Sequence, residues 1–211
     1  MIEKLNRCIE LQKKFNTSMN PQWMTAGYAW KRAMWVEAAE LADHIGYKWW
    51  KNVNAKQDRE QILLELVDIF HFLLSDIIIN SPENILSESL IHTNEFVGKH
   101  TSFNADKEDC LKAIEDFVFD CIEDRRNVVK SYFTVVRNLG FQFDEVIDYY
   151  LGKNALNLFR LDHGYKSGTY VKIWQGKEDN VILDEILKTG ERDFEKIYLA
   201  LNDRYMQNFV N

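Results

Sequence analysis

A chain of 211 residues is long enough for one domain with a sizeable core and room for a small subdomain. Its 46% hydrophobic content excludes a disordered protein. Its net charge of −7 argues against duplex nucleic acid as a partner, while a local basic patch could still take a small phosphorylated ligand.

Periodicity predicts helices near 2–16, 26–46, 57–80, 83–97, 106–122, 124–139, 142–162 and 181–209, with Gly190 as a break point in the last. The only two prolines, Pro21 and Pro82, fall between these segments, as long helices require. Asp106 and Asp144 fit N-terminal caps or first-turn acids, and Gly46 and Gly140 fit C-terminal stops. The stretch Gly168-Thr-Tyr-Val-Lys-Ile-Trp174 alternates, and reads as a short extended segment or an ordered loop. The expected fold class is therefore all-α, a helical bundle in one domain. Residues 81–140 carry no recognisable motif and are candidates for a dimerisation or cap part. The N-terminus is amphipathic and charged rather than a signal peptide, and no apolar run approaches the ~20 residues a bilayer demands. Cys8, Cys110 and Cys121 form no Cys-x-x-Cys pair, which fits a reduced, cytoplasmic protein with buried thiols.

Two of the helices carry carboxylates on apolar faces. In 26–46, Trp30, Met34, Glu37 and Leu41 share one stripe, and Glu40 lies three residues on from Glu37, roughly 4.5 Å along the axis and about 60° around it. In 57–80 the middle is apolar nearly all round, except for a narrow stripe of Glu65, Asp68 and His71 at intervals of three, with Ser75 one turn further. Four such carboxylates repel one another and lose hydration unless they share protons, pair with Lys or Arg, or bind cations. Neither helix offers Lys or Arg at the matching positions. Oxygen ligands favour hard cations, with Mg²⁺ or Mn²⁺ ahead of zinc. The competing reading is an ion-pair network with arginines from elsewhere. His71 reads as a satisfied core residue or a support for a ligand, and His44, His92, His100 and His163 show no metal-ligand spacing.

Residues 151–177 reverse the chain's acidic balance: Lys153, Arg160, Lys166, Lys172 and Lys177 face one acid, Asp162. Lys153, Asn157 and Arg160 recur at i, i+4, i+7 and so share a helix face. By itself this is a solvated basic face; beside a carboxylate–metal site it suits phosphate capture. No GxxxxGK[ST], GxGxxG or Gly-x-Ser-x-Gly occurs, which excludes a P-loop, a Rossmann turn and a serine-hydrolase elbow. The chemistry that remains is a water, activated by metal and carboxylate, attacking phosphorus.

Glu37-x-x-Glu40, 24 residues, then Glu65-x-x-Asp68 resembles the metal motif of the all-α NTP pyrophosphohydrolase superfamily, which holds the MazG-type enzymes and the dimeric dUTPases. Further stretches resemble the dimeric dUTPases in particular: Leu11-Gln12-x-x-Phe15-Asn16, the turn Gly46-Tyr47-Lys48-Trp49-Trp50-Lys51, and a long signature. That signature runs Gly152-Lys-Asn-x-Leu-Asn-x-Phe-Arg160, Asp162-His-Gly-Tyr-Lys166, Gly168-Thr-Tyr-x-Lys172 and Glu178-Asp-Asn180. The resemblance implies a homodimer that hydrolyses dUTP, and dUDP, to dUMP, with attack at the β-phosphorus, cleansing the nucleotide pool and supplying the dTMP precursor. It implies Mg²⁺, or Mn²⁺ in its place, held by Glu37, Glu40, Glu65 and Asp68, with Glu37 activating the water. It places Gln12 and Asn16 near uracil and sugar, Lys153, Asn157, Arg160, Tyr165 and Lys172 near phosphates and deoxyribose, and Asn180 near the nucleotide. Tyr47, Lys48, Trp50, Lys51, His71 and Lys166 join them as substrate-side residues. Tyr47 stands where the family usually has Trp, which leaves open a related dNTP pyrophosphohydrolase acting on dCTP or a modified nucleotide. A di-iron bundle would need paired Glu-x-x-His motifs, and the second pair here ends in Asp68.

Overall fold

In a computed structural model of the chain, residues 1–51, 58–81, 86–98, 106–125 and 127–209 are described. Pro82, His100 and the expected helix starts at 57 and 83–85 lie outside them. The chain divides into two compact units, Met1–Ile147 and Asp148–Asn211. Among the described residues the architecture is all-α apart from one minimal hairpin.

The first unit contains α1 (Ile2–Met19), α2 (Trp30–Ile45), α3 (Arg59–Asn80), α4 (Leu86–Val97), α5 (Lys107–Ile122) and α6 (Val128–Asn138). The long α7 (Phe143–Asp162) begins in it and continues into the second unit. Helix α1 outruns its expected end at 16 by three residues and buries Leu5, Cys8, Ile9, Leu11, Gln12 and Asn16 along one face. Helix α2 starts at Trp30 rather than 26, and it stops because Gly46 takes a left-handed conformation (φ 80°), which lets its N–H reach back to the Asp43 carbonyl. Helix α3 begins where the Asp58 carboxylate accepts from the Glu60 and Gln61 N–H groups. Asp106 caps α5 in the same way, and Asp144 falls in the first turn of α7.

Helix α3 is the central element. Leu63, Leu64, Leu66, Val67, Phe70, Leu73 and Leu74 are all buried. Helices α1 and α2 pack on it, α5 packs on α2, and α6 packs on α5 and α4. An aromatic cluster closes this core: Phe70 stacks on Tyr132 at 5.8 Å, and Phe143 meets Phe133 edge-on at 4.7 Å. The buried Tyr132 hydroxyl donates to the Leu66 carbonyl at 3.0 Å, and burial pushes its ionisation well up, so it stays a neutral donor. Of the region without a motif, α5 thus packs on α2, and α6 meets α3 through the Tyr132–Phe70 stack.

The second unit holds most of α7, a 3₁₀ turn (Tyr165–Ser167), β1 (Ile173–Trp174), β2 (Lys177–Glu178), α8 (Asp179–Lys188) and α9 (Phe194–Met206), followed by a 3₁₀ turn Gln207–Phe209. The alternating 168–174 stretch supplies β1, antiparallel to β2 in a two-residue ladder. The expected helix 181–209 is two helices, with Gly190 at φ 91° between them. Phe159, Trp174, Leu183, Leu187, Leu201 and Tyr205 pack together with Ala155 and Leu156. Helices α7 and α8 approach closely at Gly152, where a Cβ would sit 2.9 Å from Leu187 Cδ2 and that leucine would have to shift.

Candidate metal centre and substrate residues

The packing of α2 along α3 sets the carboxylates face to face. Met34, Ala38 and Leu41 are buried on α2, and Leu64, Leu66 and Val67 on α3. Between these apolar frames Glu37, Glu65 and Asp68 are half-buried, and one carboxylate oxygen of each lies within 4.8 Å of the others. That is a spacing a single cation can bridge. Three like charges so close oppose one another, and an all-oxygen donor set matches hard divalent ions. The residues present therefore fit Mg²⁺ or Mn²⁺.

Glu40 lies outside this cluster and is exposed. Its backbone sits nearly a full turn beyond Glu37, toward the end of α2. His44, one turn further again, places Nε2 3.4 Å from Glu65 Oε1. In the sequence His44 shows no metal-ligand spacing to the other histidines. Its i+7 offset from Glu37 is the signal that would have placed it on the same face.

A buried polar network adjoins the same stretch of α3. Gln12 and Asn16 on α1 meet His71 and Ser75 on α3, and all four are buried. Gln12 Nε2 donates to Asn16 Oδ1 at 2.9 Å and to Ser75 Oγ at 3.1 Å, while Asn16 Nδ2 donates to Ser75 Oγ at 2.9 Å. The Ser75 hydroxyl in turn donates to the His71 carbonyl at 2.9 Å, so its single donor and both lone pairs are used. Gln12 Oε1 then faces His71 Nδ1 at 2.9 Å, and an amide oxygen can only accept, so Nδ1 carries the proton. This chain of bonds fixes two amides in one orientation each.

After Gly46 the aromatic turn is open to solvent: Tyr47 is 40% exposed, Trp50 56% and Trp49 79%. Tyr47 and Trp49 each meet Trp50 edge-on, at 5.8 and 5.5 Å. Lys48 pairs with Asp43 and holds that carboxyl below the usual range. Lys107 on α5 donates to the Gly46 carbonyl, tying the turn down. Lys51 is exposed, its N–H bonded to the Lys48 carbonyl.

In the second unit, the side chains of Asn157 and Arg160 meet on one face of α7, with Arg160 Nη1 donating to Asn157 Oδ1 at 3.1 Å. Lys153, expected on the same face, is buried. The Arg160 guanidinium clamps Asp179 through two 2.8 Å bonds, and Tyr170 donates to the same carboxylate at 2.8 Å. Asn180 Oδ1 accepts from Arg160 Nη2 at 3.3 Å. Lys172 pairs with Glu178 at 3.2 Å, both half-exposed. Lys166 and Tyr165 are exposed, with the Tyr165 ring 6.1 Å from that of Tyr170. Asp179 was legible only as one letter of the signature; its complete burial and its three bonds could not be read there.

Among the described residues no helix is long and apolar enough to cross a membrane. No curated protein matches the chain. A family model described as dUTPase matches residues 4–165, most of the chain. The match takes in the carboxylate cluster, the Gln12–His71 network, all of α7 and the chain as far as Tyr165, while Lys166, Lys172 and Asn180 fall beyond it. The chain belongs to the all-α dUTPase family, and hydrolysis of dUTP is its activity.

Proposed function

We propose that this chain hydrolyses dUTP, and also dUDP, to dUMP in a reaction dependent on Mg²⁺, or Mn²⁺ in its place, and works as a homodimer. The observation that carries the metal dependence is the meeting of Glu37, Glu65 and Asp68 oxygens within 4.8 Å, from two different helices, in a chain of this family. Glu37, Glu65 and Asp68 would hold the ion, with Glu40 joining from the next turn of α2. When bound, Mg²⁺ neutralises phosphate charge and lowers the pKa of water in its shell.

The chain's own groups do the rest. Glu37 accepts the proton from the attacking water as general base. Gln12 and Asn16 read the uracil edge and the sugar, held in place by Ser75 and His71. Tyr47, Lys48, Trp50 and Lys51 of the aromatic turn face the nucleotide. Lys153, Asn157, Arg160, Tyr165, Lys166, Lys172 and Asn180 serve the phosphates and deoxyribose, and the lysines among them stabilise charge developing on the leaving group. Such an enzyme keeps uracil out of the nucleotide pool and supplies the precursor of dTMP.

Attack at the β-phosphorus has a direct test. Hydrolysis in ¹⁸O-water should put the label into pyrophosphate, and dUDP should be cleaved to dUMP and phosphate. Label in dUMP instead would place the attack at the α-phosphorus and end this part of the proposal.

A further inference from the structure

The arginine of the basic segment directs four of its five N–H donors at neighbouring side chains. Arg160 carries five N–H donors and no acceptor. Nε and Nη2 are spent on Asp179, Nη1 reaches Asn157 and Nη2 also reaches Asn180. Asp179 is fully buried, and the Arg160 side chain is only 13% exposed. A buried carboxylate held by a bidentate guanidinium and a tyrosine hydroxyl is costly to disturb, so this guanidinium has one fixed plane.

That plane dictates the two asparagines. A guanidinium only donates, so the atom each amide turns toward it must be oxygen. The amide NH₂ groups of Asn157 and Asn180 therefore point away from Arg160. Both side chains are partly exposed, and neither NH₂ donates to a described residue. Two outward N–H donors, fixed by one arginine, make a surface for an acceptor-rich ligand.

Resting on the reading that residues 153–180 take the phosphates of the nucleotide, we propose that Asp179 is a positioning residue: by fixing Arg160 it turns the amide N–H groups of Asn157 and Asn180 outward as a paired donor array for phosphate oxygens. Arg160 then organises the array, and the substrate contacts are made by the amides.

The alternative, Arg160 as a direct phosphate ligand with Asp179 a mere partner, predicts the opposite sign. Neutralising Asp179 would remove a negative charge beside a bound polyanion and tighten binding. If Asp179 positions the amides, its loss weakens binding although the charge balance improves. The experiment measures kcat and KM for dUTP, and Ki for inorganic pyrophosphate as a phosphate-only competitor, in Asp179→Asn, Asn157→Ala, Asn180→Ala, Lys166→Ala and Lys172→Ala. The expected result is KM and Ki raised by about tenfold in Asp179→Asn, with kcat much less affected. Asn157→Ala should raise both several-fold and add little in the Asp179→Asn background. Unchanged or tighter pyrophosphate binding in folded Asp179→Asn overturns the proposal. If that variant does not fold, the exposed-side Asn157→Ala and Asn180→Ala decide, and unchanged Ki in both overturns it. Should Lys166→Ala and Lys172→Ala also bind like the parent, the phosphate reading of the segment fails and takes the proposal with it. If the lysine variants weaken binding while the other three do not, only the positioning role falls.

Discussion

Replacing Glu65 by glutamine separates a metal site from a structural ion-pair network. The side chain is 12% exposed and keeps its shape in the substitution, so packing around it should persist. Its charge faces Glu37 and Asp68 with oxygens within 4.8 Å. Each such pair costs between about 1 kcal/mol at the dielectric of water and about 3 kcal/mol at an effective dielectric near 20. Relieving two pairs, less the attraction lost to His44 at 3.4 Å, leaves a net gain on the order of 1–2 kcal/mol for the metal-free protein. For a chain of this size that gain raises Tm by roughly 2–8 °C. In the metal-free parent Glu65→Gln should therefore melt higher, by calorimetry or circular dichroism. Added Mg²⁺ should stabilise the parent and not the variant, because only a site that binds the ion draws stability from it. Turnover of dUTP should fall by about a hundredfold or more. A variant that melts lower than the parent without metal would refute the reasoning, since removing one member of a buried ion-pair network destabilises.

Other substitutions probe the frame around the centre. Tyr132→Phe removes the hydroxyl bonded to the Leu66 carbonyl and should cost about 1 kcal/mol in urea unfolding, with no change in m-value. Ser75→Ala strips an acceptor from Gln12 and Asn16 at once, and should cost about 1–3 kcal/mol of stability while raising KM for dUTP more than it lowers kcat. Asp76 has its carboxyl pushed up by burial, with Lys31 pulling the other way. A carboxyl whose folded value exceeds its unfolded value binds protons more readily when folded, so it contributes a penalty at neutral pH that fades as pH falls toward the carboxylate range. Asp76→Asn should accordingly stabilise at pH 7 and flatten the mildly acidic part of the stability–pH curve. Asp43 behaves in the opposite sense: Lys48 depresses it, so its contribution persists at neutral pH and is lost only in strong acid.

Helix class and the carboxylate pairing were legible because they rest on spacing alone. Apolar residues repeating at helical period made α3 a buried cylinder, and Glu65, Asp68, His71 and Ser75 on it had to share one stripe. Helix ends were legible where one residue decides them, as at Asp106 and Gly46; the end of α1 at Met19 has such a signal too, since Pro21 keeps Asn20 extended. What spacing does not carry is which groups a side chain chooses across helices. Glu40 and Glu37 read alike in sequence, yet Glu37 faces α3 and Glu40 faces solvent, because the roll of α2 against its neighbour is set by Met34, Ala38 and Leu41 together. His44 was overlooked for the same reason. The basic segment showed its charge and hid its pairing: Arg160 is bound to a carboxylate nineteen positions on, and only the folded second unit brings the two together.

The most direct measurement is pyrophosphate release from dUTP, dCTP, dTTP and UTP by the purified chain, each with Mg²⁺ and after chelation. dUTP should be the preferred substrate, UTP should be refused, and chelation should abolish turnover until Mg²⁺ is restored. Preference for another nucleotide, or turnover undiminished by chelation, would contradict it.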